Sequence, residues 1–190
     1  MAIKIVTFRI TGTSPLMQSN PASMSSSDEG TGLATKKVYN DEEEASIRAY
    51  RDSEGHFVHP SASFRRAMMT AVSGRKFGKK AARMVVAGAA FPAETDCLLL
   101  DENEKPIAGY EIDKRPVVVN KSRVLRCRPK FSPWRLLLPI EIDTELLTDE
   151  QALESLQLAG RIIGIGEFRP DPSNGRSGVG TFGRFTAEIV

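Results

Sequence analysis

Residues 57–68 read Phe-Val-His-Pro-Ser-Ala-Ser-Phe-Arg-Arg-Ala-Met, a short strand-like stretch that ends at a proline and changes to a helical pattern. Ser61 is suited to cap this helix, because serine accepts hydrogen bonds from the first-turn N–H groups. Phe64 and Met68 fall on one face of the helix, and Gly74 ends it. A strand that leads directly into an amphipathic helix is thus the first unit of the fold.

Other segments extend this unit in both directions. Ile3 to Thr11 alternates in polarity, as a half-buried strand does. Thr148 and Gln151 form a capping box for a late helix, which should stop at Gly160. Further strands are predicted at 97–100, 117–119, 134–142 and 181–190, and a second helical stretch at 79–90; Pro139 favours an edge or a bulge.

The order of these segments predicts the fold class. Strand, helix, strands, helix and strand is the ferredoxin-like, RRM-like βαββαβ plan of the α+β class, here with insertions and a C-terminal glycine-rich loop. Many functions use this plan, so the fold alone does not decide what the protein does.

Composition is that of one globular domain spanning 1–190. The chain has a net charge of +2, with 26% charged and 41% hydrophobic residues, which excludes wholesale disorder. The segment 18–46 is rich in serine and acid without an apolar period, and predicts a flexible insertion. Neither a signal peptide nor a membrane-spanning run is visible, so we expect a cytoplasmic protein with Cys97 and Cys127 reduced.

The near-neutral net charge conceals two basic blocks. Residues 55–93 contain seven Lys or Arg and no acid, and residues 114–140 contain eight and no acid. The rest of the chain therefore carries −13. A single basic run is usually a solvated face, but two in one small domain favour binding to a phosphate backbone through counterion release.

The C-terminal part contains glycines beside arginines, at 160–170 and 175–185. The pattern fits neither GxGxxG opening a helix nor GxxxxGK[ST], so the common nucleotide-binding loops are poor matches. Such glycines can let a phosphate backbone approach exposed N–H groups while guanidinium groups clamp it. The alternative is a flexible hairpin without a ligand.

Three motifs, in this order, resemble the RAMP superfamily of CRISPR effector proteins. They are the Thr-Gly-Thr-Ser-Pro-Leu turn at 11–16, the strand-to-helix junction at 58–67, and the late helix with its glycine-rich loop at 149–185. The chain is most similar to the backbone subunits that polymerise along a guide RNA. It differs in its short length and in having Gly-Ile-Gly-Glu-Phe-Arg-Pro for the usual Gly-Ser-Arg-Gly loop, which suggests a compact, stand-alone member of the kind expected in phage or other mobile elements.

The resemblance implies that 114–131 is a thumb-like hairpin pressing between bases. With the charge pattern, it predicts non-catalytic binding of a guide RNA or single-stranded DNA, no cofactor or metal, and partners that are further copies stacked head to tail in a filament or other CRISPR-type subunits. The expected binding residues are Arg65, Arg66, Arg75, Lys76, Lys79, Lys80, Arg83, Lys121, Arg123, Arg126, Arg128, Lys130, Arg169, Arg176 and Arg184.

Two alternatives remain open at this level. The chain could be an interaction protein that mimics a CRISPR backbone subunit as a decoy or inhibitor. It could also be a metal-dependent ribonuclease using Asp28 or Asp41 of the insertion. His56 and His59 are expected on the same face of one strand without further ligands at metal spacing, which predicts a structural or solvent-facing role.

Overall fold

The computed structural model describes residues 2–21, 40–119, 122–172 and 180–190, with the backbone alone at 118–119 and 122–124. It contains eleven strands and four helices in these residues. The strands are β1 (Ile3–Gly12), β2 (Leu16–Met17), β3 (Val58–Pro60), β4 (Lys76–Phe77), β5 (Lys80–Ala81), β6 (Ala90–Pro92), β7 (Asp96–Leu98), β8 (Glu111–Val119), β9 (Ser122–Phe131), β10 (Arg135–Asp143) and β11 (Phe185–Ile189). The helices are α1 (Asp41–Arg48), α2 (Ala62–Ala71), α3 (Ala82–Ala89) and α4 (Asp149–Ile162).

The main sheet has the strand order β11-β1-β10-β6, and every neighbouring pair is antiparallel. Along the chain, the four strands of this sheet follow one another in the order β1, β6, β10 and β11. Helices α2 and α3 lie between the first two, and α4 lies between the last two. This is the βαββαβ arrangement of the ferredoxin-like fold, so the α+β prediction is confirmed.

One face of the main sheet packs on α2 and α4. Phe8 and Ile10 of β1 and Leu136 of β10 are fully buried there, together with Phe64 of α2 and Leu156 of α4. The alternation along β1 and the three- and four-residue spacing along the helices place these side chains on the buried faces. Each contributes about 1.5–3 kcal/mol to stability through burial.

Pro139 lies within a central strand rather than at an edge. β10 is between β1 and β6, and Pro139 pairs with Thr7. The carbonyl of Pro139 accepts from the N–H of Ala93, so its nitrogen also faces the β6 side. The last residue pair between β10 and β6 is Ile140 with Pro92, so the N–H that Pro139 lacks is not needed for the pairing of these strands. The prediction that Pro139 marks an edge strand or a bulge is therefore wrong.

A second sheet has the order β2-β9-β8, and its main feature is the long β8–β9 hairpin from Glu111 to Phe131. Its two strands take in the described residues of the predicted segment 114–131, and β8 begins three residues earlier. Helix α1 packs against β9. The N-cap of α1 is Asn40, whose side chain accepts from the N–H of Glu42 at 3.1 Å.

The predicted insertion at 18–46 is corrected at both ends. Gln18 is fully buried, and residues 41–46 belong to α1 because Glu44 and Ala45 turn inward there. The remaining residues, 22–39, lie outside the described part of the chain.

Two helix boundaries and one helix cap also differ from the predictions. The second helix begins at Ala82, after the β4–β5 hairpin, instead of at residue 79. Helix α4 continues through Gly160, where a Cβ would overlap the carbonyl of Phe185, and ends before Gly164, whose φ is +68°. The Ser61 side chain does not cap α2, because its hydroxyl donates to the carbonyls of Glu94 and Thr95.

None of the helices in the described residues is long and apolar enough to cross a membrane.

Candidate nucleic-acid interface

Three arginines from distant parts of the sequence line one cleft of about 580 Å³. Arg75 lies between α2 and β4, Arg161 in the last turn of α4, and Arg184 immediately before β11. All three are exposed. We call this the cationic cleft. Its acidic lining residue is Glu154, whose Oε1 is 3.1 Å from Nη1 of Arg75.

The fold fixes the backbone around the cationic cleft. The N–H of Arg184 donates to Oγ of Ser14 at 3.0 Å, and its carbonyl accepts from the N–H of Thr13 at 2.8 Å. The start of β11 is thereby tied to the turn after β1. Its arginine side chain stays exposed beside the end of α4, where Arg161 also faces solvent.

The β4–β5 hairpin continues the positive surface directly after Arg75. Lys76 pairs in the hairpin with Ala81, and Lys80 with Phe77. Gly78 makes the tight turn with a φ of +58°. Lys76, Lys79, Lys80 and the nearby Arg83 are exposed, and none has an ion-pair partner within residues 2–21, 40–119, 122–172 and 180–190. A phosphate backbone prefers such uncompensated cations.

A second cavity, of about 270 Å³, lies between α2 and the glycine-rich segment. Ser63 and Arg66 contribute from α2, and Gly164, Gly166 and Arg169 contribute from the other side. The structure thus brings together two motifs that are about a hundred residues apart in the sequence. Arg66 is exposed. Arg169 is held by Oδ2 of Asp171 at 3.0 Å and by the carbonyl of Gly166 at 2.9 Å.

The described glycines of the C-terminal loop serve close contacts between chain segments. A Cβ at Gly183, whose φ is +67°, would overlap the carbonyl of Ile165. The N–H groups here are used within the protein: Ile165 donates to Gly183, Glu167 to Met17, and Gly183 to Pro15. These three N–H groups are therefore already used within the protein. The sequence interpretation offers exposed N–H groups of this loop as phosphate ligands.

Arg65, which the sequence predicts to contact nucleic acid, makes its described contacts within the protein. Its Nε donates to the carbonyl of Ala90 at 2.8 Å and its Nη2 to that of Ala87 at 2.5 Å. Its guanidinium lies 4.5 Å from the centroid of the Phe91 ring. These contacts hold the C-terminal end of α3 against α2.

Cations of the β8–β9 hairpin are paired with acidic side chains. Lys114 lies 2.7 Å from Asp41, Lys130 lies 2.7 Å from Glu111, and Arg126 lies 3.3 Å from Glu44. The Lys114 ammonium hydrogen-bonds the carboxylate of Asp41 and lowers the pKa of that carboxyl. The predicted charge of the hairpin is thus largely compensated by α1 and by β8 itself.

Arg128 turns inward and is 8% exposed. Its Nη2 is 3.9 Å from Glu167, and its guanidinium lies 5.6 Å from the centroid of the Phe168 ring. Burial lowers the pKa of Arg128. Arg128, which the sequence predicts to bind nucleic acid, is thus buried against the segment after α4.

Three of the predicted binding residues fall outside these observations. Lys121 and Arg176 lie outside the described residues, and Arg123 is on β9 with only its backbone described. Sequence reasoning missed Arg161 as a binding residue. A Gly-Arg step, at 160–161 and again at 183–184, is the signal that could have found it.

The two histidines face different environments, contrary to the same-face prediction. His56 is exposed, with Nδ1 at 3.3 Å from Asp52 and at 3.5 Å from Glu54. His59 is 3% exposed, and burial lowers its pKa to about 3. Within the described ranges, no three His, Cys, Asp or Glu side chains are grouped to hold a metal ion. Asp28 lies outside those ranges.

Comparison with solved structures finds proteins of similar fold, of which one is described here. The chain is similar to Cmr6 from Pyrococcus furiosus, with 15% sequence identity, a TM-score of 0.47, and 98% of each chain covered. No protein-family model and no curated protein sequence matches the chain.

Proposed function

We propose that the protein binds single-stranded nucleic acid, guide RNA or single-stranded DNA, through the phosphate backbone and without catalysis. The observation that carries the proposal is the meeting of Arg75, Arg161 and Arg184 in one cleft, continued by the lysines of the β4–β5 hairpin. Clustered guanidinium groups bind phosphate oxygens through charge-assisted, bidentate hydrogen bonds.

The charge balance of this surface supports binding. Glu154 is the acidic residue of the cationic cleft, and its side chain is 59% exposed, so its pairing with Arg75 is weak and easily exchanged for a phosphate. Lys76, Lys79 and Lys80 are exposed on the hairpin that follows Arg75 in the chain. A strand crossing the cleft toward the hairpin would therefore meet cations along its path.

A continuation toward Arg66 supports a longer path. Arg161 lines the cationic cleft and Ile163, two residues later, lines the cavity of about 270 Å³ beside Arg66. The two spaces thus lie on either side of the last turn of α4. The first turn of α2, which also borders this cavity, has no side-chain cap, and Arg66 adds a full positive charge there.

A salt titration tests the proposal. Fluorescence anisotropy with labelled 20-nucleotide RNA and DNA strands, measured from low to high salt, should show affinity that falls steeply, with a slope of about −0.7 per phosphate contacted. RNA and DNA should bind similarly, because arginine–phosphate contacts do not read the 2′-hydroxyl. Absence of binding to both strands at low salt would refute the proposal.

Two further parts of the proposal have separate tests. Copies stacked head to tail on one strand should appear in size-exclusion chromatography as a ladder of larger species when the oligonucleotide is long enough for several copies. A single shifted peak at every length would contradict the stacking.

A role without catalysis predicts that labelled RNA stays intact during incubation with the protein and Mg²⁺, and cleavage lost in Asp41→Ala would contradict it.

A further inference from the structure

A third cavity, of about 190 Å³, adjoins the one beside Arg66 through Ser63, Gly166 and Arg169. At about 30 Å³ for each water molecule in the liquid, it has room for about six waters, and so for one heterocyclic ring. His59, Tyr50 and Glu167 also line it. The cavity therefore combines aromatic, donor and acceptor groups beside a cationic groove.

The protonation of His59 follows from its fixed neighbour Gln18. The N–H of Tyr50 can only donate, and it meets the Gln18 side chain at Oε1, at 2.9 Å. The carbonyl of Val58 can only accept, and it meets Nε2 of Gln18 at 2.7 Å. The amide is therefore oriented without ambiguity, with its Nε2 donor 3.3 Å from Nδ1 of His59.

His59 consequently accepts at Nδ1 and carries its proton on Nε2. Burial agrees with a neutral ring, since it lowers the pKa of His59 to about 3. The Nε2 atom has no hydrogen-bond partner among the described residues, although the side chain is 97% buried. A buried donor without an acceptor is costly. Because Nε2 has almost no accessible surface, an acceptor would meet it after the ring turns toward the cavity, and would then be bound favourably.

Glu167 sets the second requirement for a ligand. Its carboxylate lines the same cavity, and its ion-pair partner Arg128 lies at the long distance of 3.9 Å. A phosphate group would face this negative charge with no proton to donate. A group with an acceptor for His59 and N–H donors for Glu167 would satisfy both, and the edge of a nucleobase has that combination.

We infer that this cavity receives one unstacked nucleobase, preferentially guanine, with Nε2–H of His59 donating to the base and Glu167 accepting from it. Guanine matches best because its Watson–Crick edge presents two adjacent N–H donors to a carboxylate and a carbonyl oxygen beside them. The planar guanidinium of Arg169, on the cavity wall, provides a surface for stacking. This inference rests on the proposed function for delivery of the strand past Arg66.

The first experiment compares two strands on the intact protein. An all-uridine 20-mer and the same strand with one central guanosine are titrated by anisotropy at a salt concentration that weakens backbone contacts. We expect the guanosine strand to bind about tenfold more tightly, the discrimination of one bidentate base contact. Equal binding of the two strands would overturn the inference and leave the proposed function standing.

Matched variants locate the preference. Glu167→Gln should abolish the tenfold preference, whereas Glu154→Gln, outside this cavity, should keep it. His59→Phe removes the donor while keeping an aromatic ring and should also abolish the preference; circular dichroism of each variant checks that it is folded. A preference kept by both Glu167→Gln and His59→Phe would overturn the inference.

A titration with free guanosine tests binding of a base in the cavity separately from binding of a nucleic-acid strand. Free guanosine, titrated into ¹⁵N-labelled protein, should shift the Nε2–H resonance of His59, and uridine at the same concentration should not. If no strand binds but guanosine still shifts this resonance, the proposed function fails and the base site stands. If guanosine leaves the resonance unchanged, the site is overturned.

Discussion

The β8–β9 hairpin and the surface formed by the β4–β5 hairpin and the cationic cleft are both rich in basic residues in a nearly neutral chain, yet their cations have different partners. Lys114, Arg126 and Lys130 of the first region each pair with a carboxylate. In the second region, Lys76 and Arg184 are exposed and have no ion-pair partner in the described residues. A block of basic residues therefore shows where charge is concentrated, whereas its surface availability depends on which acids the fold brings near.

Glu44 illustrates how the fold compensates charge at a distance. Its Oε1 lies 3.1 Å from Arg48 on the same helix and 3.3 Å from Arg126 on β9, and its Oε2 accepts from the N–H of Cys127. A single carboxylate with a side chain 14% exposed thus joins α1 to the long hairpin. Glu154, more than half exposed, binds only Arg75 among the described contacts.

The largest effect is expected from removing the charge of the cationic cleft. Each single-strand phosphate contact changes the logarithm of affinity by about 0.7 per decade of salt, which makes affinity at 0.1 M about fivefold higher than at 1 M. The triple variant Arg75→Gln/Arg161→Gln/Arg184→Gln should therefore weaken oligonucleotide binding about 100-fold. Anisotropy titrations over a salt series measure this loss, and the salt slope should fall by about 2.

The next effect concerns stability. Glu44→Ala leaves Arg48 and Arg126 without their carboxylate and should lower the free energy of unfolding by about 2 kcal/mol, as charged hydrogen bonds in partly buried positions do. Glu154→Ala, the matched variant in the cleft, should cost less than about 1 kcal/mol because an exposed pair contributes little. Urea unfolding compares the two, and equal losses would break the contrast between the regions.

A smaller effect is expected from the hairpin charges in binding. The triple variant Lys114→Gln/Arg126→Gln/Lys130→Gln removes the same formal charge as the cleft variant. Since these cations already have acidic partners, affinity for the oligonucleotide should fall less than about threefold. A loss as great as that of the cleft variant would show that the strand displaces those acids, and the two regions would then be equivalent.

The smallest effect is a pH dependence at the exposed Lys114–Asp41 pair. Lys114 lowers the pKa of Asp41 from its ordinary 3.8, so the pair stabilises the fold above that pH and loses its contribution as the pH falls through the lowered value. The Tm of the wild-type protein should exceed that of Lys114→Gln at neutral pH, with the difference vanishing in acid. A difference that persists at the lowest pH would contradict the assignment.

Much of the fold could be predicted from local patterns. The spacing of Phe64 and Met68 and the capping box of Thr148 with Gln151 depend on residues within one or two turns, and the structure contains both helices with that capping box formed. Pro139 was misjudged because its position relative to the last residue of β6 depends on the register between distant strands.

The site was less predictable, because the partners of charged groups come from elsewhere in the chain. Nothing near Arg126 in the sequence indicates that Glu44 lies beneath it, and nothing near Arg65 indicates the end of α3. The meeting of Arg75, Arg161 and Arg184 likewise depends on the docking of β11 beside α4. Local patterns show which residue types are present, and only the tertiary fold decides which of them face each other.

The assembly of the cationic cleft from three distant arginines would couple the proposed binding to folding. An unfolded chain separates these residues and retains only scattered charge, so a strand that needs all three should bind the folded protein far more strongly. Thermodynamic linkage then makes the oligonucleotide a stabiliser: at a free concentration of 100 times the Kd, it would add about 2.7 kcal/mol to the free energy of unfolding. The melting temperature of this protein should therefore depend on how much nucleic acid accompanies it, and a preparation stripped of nucleic acid should melt at a lower temperature than one that retains it.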